Sequence, residues 1–138
     1  MNLKRFIACL AVMASAVMCL AGCTNEPEES EVTTAVSYEQ ISQDEAKNIM
    51  DTESGYIIID ARTQEEFDEG HIKGAILMPE YEVADRAEKE LTDKNQLILV
   101  YCRSGRRSKI AAQALDDLGY TNVKEFGGII TWEYETVK

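Results

Sequence analysis

The hydrophobic positions of this chain change period several times, and each change marks a new element. Phe6 to Leu20 is an almost unbroken apolar block behind the short basic head Met1-Asn2-Leu3-Lys4-Arg5. Apolar residues then become sparse until Tyr38. Ile41 precedes Ser42-Gln43-Asp44-Glu45, a capping-box spacing in which Ser42 and Glu45 satisfy each other's end of a first helical turn. Ala46, Ile49 and Met50 share one face of that helix, and Gly55 breaks the pattern. Tyr56-Ile57-Ile58-Ile59 is a continuous apolar run ending at Asp60, as in a strand covered on both faces. Thr63-Gln64-Glu65-Glu66 repeats the capping spacing before a short helix that stops by Gly70. His71 to Pro79, with Ile72, Ala75, Ile76, Leu77 and Met78, predicts one strand closed by proline. Ala84, Ala87 and Leu91 recur at helical spacing, and Leu97 to Tyr101 predicts the next buried strand. Ile110, Ala111, Ala114, Leu115 and Leu118 mark one face of a further helix, with Gly119 as its left-handed stop. Val123-Lys124-Glu125-Phe126 predicts a short strand, followed by Gly127-Gly128 and a terminal segment around Trp132. Strands alternating with helices predict an α/β domain with a mainly parallel central sheet, and no internal repeat is present.

The N-terminal block changes the domain count. It is short for a bilayer span and fits a secretory signal. Leu20-Ala21-Gly22-Cys23 resembles the end of a bacterial lipoprotein signal, which implies residues 1–22 as signal peptide and Cys23 as a lipidated mature N-terminus. The chain is then expected to be an extracytoplasmic, membrane-anchored lipoprotein; an uncleaved anchor helix or an ordinary signal peptide are the alternatives. Residues 23–36 carry Glu26, Pro27, Glu28, Glu29 and Glu31 and few apolar positions, the composition of a flexible tether. Fully extended, Thr24 to Val36 would reach about 45 Å. Residues 37–138 then suffice for one ordinary domain core and not for two.

Charge removes whole classes of partner. Of 14 basic and 25 acidic residues the signal takes Lys4 and Arg5 and no acid, leaving 12 against 25, a net charge of −13. Such a surface repels nucleic acid and anionic headgroups. The local exception is Cys102-Arg103-Ser104-Gly105-Arg106-Arg107-Ser108, which puts three arginines beside a cysteine where a buried run gives way to a helix. Unpaired N–H groups and the helix dipole favour negative charge there, so the segment reads as a thiolate nucleophile or an anion site. In an open parallel sheet, sites lie at the carboxyl ends of strands, where Cys102 falls. Of the four cysteines, Cys9 and Cys19 would leave with the signal and Cys23 would be capped, so Cys102 would be the lone mature thiol.

Four motifs in order extend the reading over Tyr38 to Trp132. Asp60-Ala61-Arg62 with Glu65-Glu66-Phe67, Gly70-His71-Ile72-Lys73-Gly74-Ala75, the Cys102–Ser108 loop, and Gly119-Tyr120 with Gly127-Gly128-Ile129 through Trp132 together resemble a single-domain rhodanese, a sulfurtransferase family. The resemblance implies a three-layer rhodanese-like domain over residues 37–138 and transfer of a sulfane sulfur through a persulfide on Cys102. It implies a small sulfur-containing anion such as thiosulfate as donor, a thiol, a protein thiol or cyanide as acceptor, and no cofactor. From the residues themselves, a persulfide anion needs donors on every side: a nest of backbone N–H groups in which Gly105 permits geometry a Cβ would obstruct, hydroxyls of Ser104 and Ser108, and the fixed charges of Arg103, Arg106 and Arg107. Arg103 and Arg107 are the leading candidates to point inward, with Arg106 at the loop tip.

Other readings stand beside this one. Cysteine phosphatases and arsenate reductases place a thiolate in a similar loop, but their Cys-x5-Arg spacing would require arginine at 108, where this chain has Ser108; Arg107 gives Cys-x4-Arg. A non-catalytic persulfide carrier or partner-binding module also fits the motifs. His71, the only histidine, is expected to pack and hydrogen-bond, and Asp60 and Arg62 to pair and brace a strand end. Trp132 is expected in the core. The pairs Glu65-Glu66 and Asp116-Asp117 read as solvated helix faces, and no cluster has metal-ligand spacing.

Overall fold

The computed structural model describes residues 37–138, so the signal sequence, Cys23 and the tether lie outside the described residues. Seven strands and four α-helices follow one another: β1 (Glu39–Gln40), α1 (Gln43–Thr52), β2 (Ile57–Asp60), α2 (Gln64–Glu69), β3 (His71–Ile72), β4 (Ala75–Leu77), α3 (Val83–Glu90), β5 (Ile98–Cys102), α4 (Arg106–Asp117), β6 (Val123–Gly128) and β7 (Thr136–Val137). A 3-10 turn at Ile129–Thr131 follows β6. Five strands form one sheet in the order β1-β6-β5-β2-β4, every pair parallel.

β5 is the middle strand, and all five of its residues are buried. The two-residue period of a strand divides them. Ile98, Val100 and Cys102 face a core formed with Val83 and Ala87 of α3, Leu91 at its C-cap, and Ala111, Ala112 and Leu115 of α4. Leu99 and Tyr101 face the opposite core, with Ala46 and Ile49 of α1, Ile58, Ile72 and Phe126. Helices thus cover both faces of a parallel sheet, the expected three layers.

The expected strand over His71–Pro79 is two strands. Lys73-Gly74 turns the chain with Gly74 at φ 84°, so β3 pairs antiparallel with β7 while β4 joins the main sheet beside β2. The apolar residues on either side of that turn form an almost continuous run, which hid it. Both N-caps fall at their expected places, but only the second is the full reciprocal box; at Ser42 the Glu45 side chain makes no return bond. Ser42 accepts the Glu45 N–H at 3.1 Å, and Thr63 and Glu66 make the full reciprocal box. β1 is an additional short edge strand, and Trp132 is half-buried against Phe126 rather than enclosed.

One buried polar network fixes the end of β2. Asp60 is fully buried and Arg62 is nearly so; their side chains meet through two Arg62 Nε contacts at 2.9 and 3.0 Å and one Nη2 contact at 2.7 Å. Arg62 also donates to the Gly70 carbonyl at 2.6 Å. Tyr101 donates its hydroxyl to Asp60 Oδ2 at 2.5 Å and accepts the Ile72 N–H at 3.1 Å, which links β2, β5 and β3. Burial, then the Asp60 charge, drives the Tyr101 phenol well above its ordinary value, so it serves as a donor at any working pH. His71 stacks on Phe67 with centroids 3.7 Å apart and puts Nδ1 3.0 Å from the Phe67 carbonyl oxygen, as a packing residue does.

Tyr101→Phe keeps the packing and removes both bonds, leaving a buried N–H unpaired and Asp60 short of a donor. The expected loss is about 1–3 kcal/mol in denaturant unfolding, with an unchanged m value.

Candidate functional site

β5 delivers Cys102 as its last residue, at the carboxyl end of the sheet. The β5–β6 register slips between Val100 and Cys102, so Cys102 lies opposite Gly128. Arg103 to Gly105 then turn over the sulfur into α4. Gly105 caps that helix in the left-handed region at φ 99°. This conformation aims its N–H at Cys102 Sγ, at 3.0 Å. Ser108, one turn into α4, places Oγ 3.4 Å from the same sulfur, which donates to it as a thiol. The expected nest therefore exists in part as a backbone N–H and a hydroxyl on opposite arms of one loop.

The sulfur sits deeper than a loop nucleophile would suggest: Cys102 has 0% of its surface exposed. The lid over it is tight because β6 passes directly behind the loop. A Cβ on Gly128 would overlap the Arg103 carbonyl and lie 2.6 Å from Ser104 Cα. Ile130 N–H closes the contact by donating to the Arg103 carbonyl at 3.2 Å. Glycine at 128 answers to close approach of two backbones, not to an unusual φ.

The candidate residues divide into two groups. Cys102, Gly105 and Ser108 are buried together. Arg103, Ser104 and Arg106 lie on the exposed rim of the loop. Arg107 is half-buried and already paired: its two terminal nitrogens grip Glu66 at 2.7 and 2.8 Å. That overturns the solvated reading of Glu66, whose neighbour Glu65 does remain exposed. The guanidinium holds the Glu66 carboxyl at about 2, with a smaller contribution from the Thr63 backbone. Arg107 is in turn held charged, chiefly by its bonds to Glu66. Asp60 and Arg62 stay within the bracing network at the end of β2, and His71 stays packed on Phe67, away from the sulfur loop.

One buried group was not singled out from the sequence. Glu125 on β6 is 3% exposed and accepts the Ser108 hydroxyl at 2.6 Å and the Gly127 N–H at 2.8 Å on the same Oε1. The signal was strand parity. Val123 and Glu125 point to the same side of β6, so a glutamate stands where a core residue is due. A separate groove of 560 Å³, lined by Met50, Tyr56, Ile72 and Trp132 among others, lies on the α1 side and includes none of the loop residues.

The Glu66–Arg107 pair ties α2 to the first turn of α4 and gives stability a pH signature. Glu66 is lowered on folding from 4.5 to about 2, so its contribution is complete above pH 4.5 and is lost as pH falls from there toward 2. Glu66→Gln is expected to reduce stability by about 0.5–1 kcal/mol at neutral pH, the modest size of a pair that solvent still reaches. The difference from the parent should shrink toward zero across that acid window, as read from unfolding curves at stepped pH.

Comparison with known proteins bears on this geometry directly. Residues 42–135 match the model of the rhodanese-like domain. The thiosulfate sulfurtransferase PspE of Escherichia coli (strain K12) is 41% identical over 71 residues, covering 51% of this chain and 68% of that protein. The thiosulfate sulfurtransferase GlpE of Coxiella burnetii is 34% identical over 97 residues, covering 70% of this chain and 88% of that protein. A solved structure described as a rhodanese with anions from E. coli superposes with a TM-score of 0.57 at 37% identity, over 60% of this chain and 98% of that one. By motif, fold and relationship, the chain belongs to the rhodanese-like sulfurtransferase family, with its rhodanese-like domain in residues 42–135.

Proposed function

We propose that this protein transfers a sulfane sulfur through a persulfide on Cys102, from an anionic donor such as thiosulfate to a thiol, a protein thiol or cyanide. The observation that carries the reading is the aim of the Gly105 N–H at Cys102 Sγ, 3.0 Å away at the end of a buried strand. That donor is fixed by the backbone and costs no reorganisation as charge develops on sulfur. The Cys102 thiolate attacks the outer sulfur of the donor; a new S–S bond forms, the old one breaks, and sulfite leaves with the electron pair. The acceptor then attacks the outer persulfide sulfur and releases Cys102 as a thiolate. Because Cys102 is enclosed, the Arg103–Gly105 lid has to give way as the donor enters.

The arginines divide their work in this reading. Arg103 and Arg106, exposed on the rim, supply positive charge on an otherwise acidic protein and draw in a dianion. Arg107 steadies the loop from its clamp on Glu66 while adding positive charge beside the sulfur. Serine at 108 leaves the loop without the arginine that a Cys-x5-Arg phosphate cradle requires, which favours a sulfur atom over a tetrahedral oxyanion as its occupant.

Mass spectrometry of the purified chain before and after thiosulfate tests the chemistry. The peptide containing Cys102 is expected to gain one sulfur, about 32 Da, and to lose it to cyanide or a thiol. Cys102→Ser should gain nothing while its melting temperature stays close to that of the parent. A parent that takes up no sulfur, or uptake that survives Cys102→Ser, would overturn the reading.

The second part of the proposal is the address. Leu20-Ala21-Gly22-Cys23 supports lipidation of Cys23 and attachment of the domain to an extracytoplasmic membrane surface by the acidic tether. Stable attachment takes more than one acyl chain, so the mature N-terminal peptide should carry the mass of several. The protein should fractionate with membranes, and Cys23→Ser should be soluble or unprocessed. A parent recovered from the cytosol with Met1 in place would count against it.

A further inference from the structure

We propose that Glu125 is the terminal proton acceptor of a relay, Cys102–Ser108–Glu125, that converts the enclosed cysteine to its thiolate. The purpose assigned to that thiolate rests on the sulfur-transfer reading; the relay itself rests on geometry. Ser108 has one hydroxyl proton and three oxygens within reach of it: Glu125 Oε1 at 2.6 Å, the Gly105 carbonyl at 3.1 Å and the Gly127 carbonyl at 3.4 Å. The carboxylate is the shortest contact, in the range of a charge-assisted O–H···O⁻ bond, so the proton points there. With its proton committed, Ser108 can only accept from the Cys102 thiol, 3.4 Å away. The three groups therefore form a directed chain, S–H to O–H to carboxylate.

Transfer along the chain is balanced and needs no outside reagent. The thiol proton passes to Ser108 Oγ, and the former Ser108 proton passes to Glu125 Oε1. Cys102 becomes a thiolate, Ser108 stays neutral and now donates to the sulfur, and Glu125 becomes a carboxylic acid. The Gly105 N–H, already aimed at the sulfur, stabilises the product charge. Neutralising Glu125 in the same event keeps two anions from facing each other across one hydroxyl. When the acceptor frees Cys102, the same path can return the proton. Glu125 acts through Ser108 and touches no reacting atom, so it is a positioning residue.

Few other groups face this chain. Tyr38, ahead of β1, is held protonated by burial and then by the Glu125 charge. Arg107, on α4, faces the sulfur with its guanidinium gripped by Glu66. Gln43, on α1, is neutral and is bonded to the Gly128 carbonyl. Among the described residues, Ser108 alone hydrogen-bonds to both Cys102 Sγ and Glu125.

The test is the ultraviolet absorbance of the Cys102 thiolate as a function of pH, taken as the difference from Cys102→Ser, so that it needs no sulfur donor. Glu125→Gln keeps the shape and the acceptor oxygen but cannot take the proton. Its thiolate signal is expected to appear about one pH unit or more above that of the parent, a tenfold or greater loss of thiolate at neutral pH. A carboxylate acting only through space predicts the opposite sign, because removing a neighbouring negative charge favours the thiolate. In a Ser108→Ala background the Glu125→Gln shift should vanish. An unmoved or downward shift in Glu125→Gln, or an undiminished shift without Ser108, would overturn the relay. Should Glu125→Gln fail to fold, Ser108→Ala alone decides, since an unmoved titration there is equally fatal. A protein that shows these shifts but takes no sulfur from thiosulfate would keep the relay and lose the proposed function.

Discussion

Two backbones that almost touch hold this site together. β6 ends in Gly127-Gly128, and its last residue runs so close under the Arg103 carbonyl that no side chain fits between them. That approach presses the loop down over Cys102 and sets where Gly105 begins α4. Without it the Gly105 N–H would have no reason to point at sulfur, and Ser108 would have no reason to lie between Cys102 and Glu125. The register slip between β5 and β6 belongs to the same constraint, since it brings Cys102 opposite Gly128 rather than leaving the strands in step. A parallel sheet leaves this space at the ends of its strands, and here the ends of β5 and β6 and the first turn of α4 compete for it.

Asp60, Glu66 and Glu125 are drawn wholly or partly away from water, and each is satisfied differently. Asp60 is fully enclosed and receives donors from Arg62 and Tyr101. Its charge is balanced, and the resulting network is rigid. Glu66 remains partly exposed and takes a forked arginine, a geometry that fixes orientation as well as charge. Among the described residues no cation bonds to Glu125; its donors are the Gly127 amide and the Ser108 hydroxyl. An enclosed carboxylate supported by two neutral donors is the least compensated of the three. It is also the one separated from the nucleophile by a single oxygen. Stability would be better served by an apolar residue beside Val123, so the glutamate is easier to understand as part of the chemistry than as part of the core.

The sequence carried most of the architecture because the elements rest on local rules. Caps at Ser42 and Thr63, the buried runs ending at Asp60 and Cys102, and the stop at Gly119 are all decided within a few residues. What escaped depends on pairing across the chain. The turn at Lys73-Gly74 separates apolar residues that look continuous but serve different sheets, and only the partnership of β3 with β7 shows the division. Glu66 looked solvated because nothing nearby in sequence announces Arg107, 41 residues on. Cys102 was legible as the candidate nucleophile, since an apolar run ending in a cysteine and a basic loop has few other meanings. Its complete enclosure was not, because that follows from Gly128 and a strand which the local pattern does not connect to the loop.

In the proposed sulfur transfer, the acidity of the whole chain would set much of the loop's selectivity. A net charge of −11 keeps anions at a distance in general, so Arg103 and Arg106 on the rim act against an opposing field. Arg107 contributes less free charge than its position suggests, because Glu66 offsets it and fixes it in place. Two exposed arginines and one neutralised arginine leave a small local excess of positive charge around the loop. Beneath the loop the donors are a backbone amide and a hydroxyl, which suit a single sulfur anion. The charged groups of the rim therefore sit outside the loop and its hydrogen-bond donors beneath it.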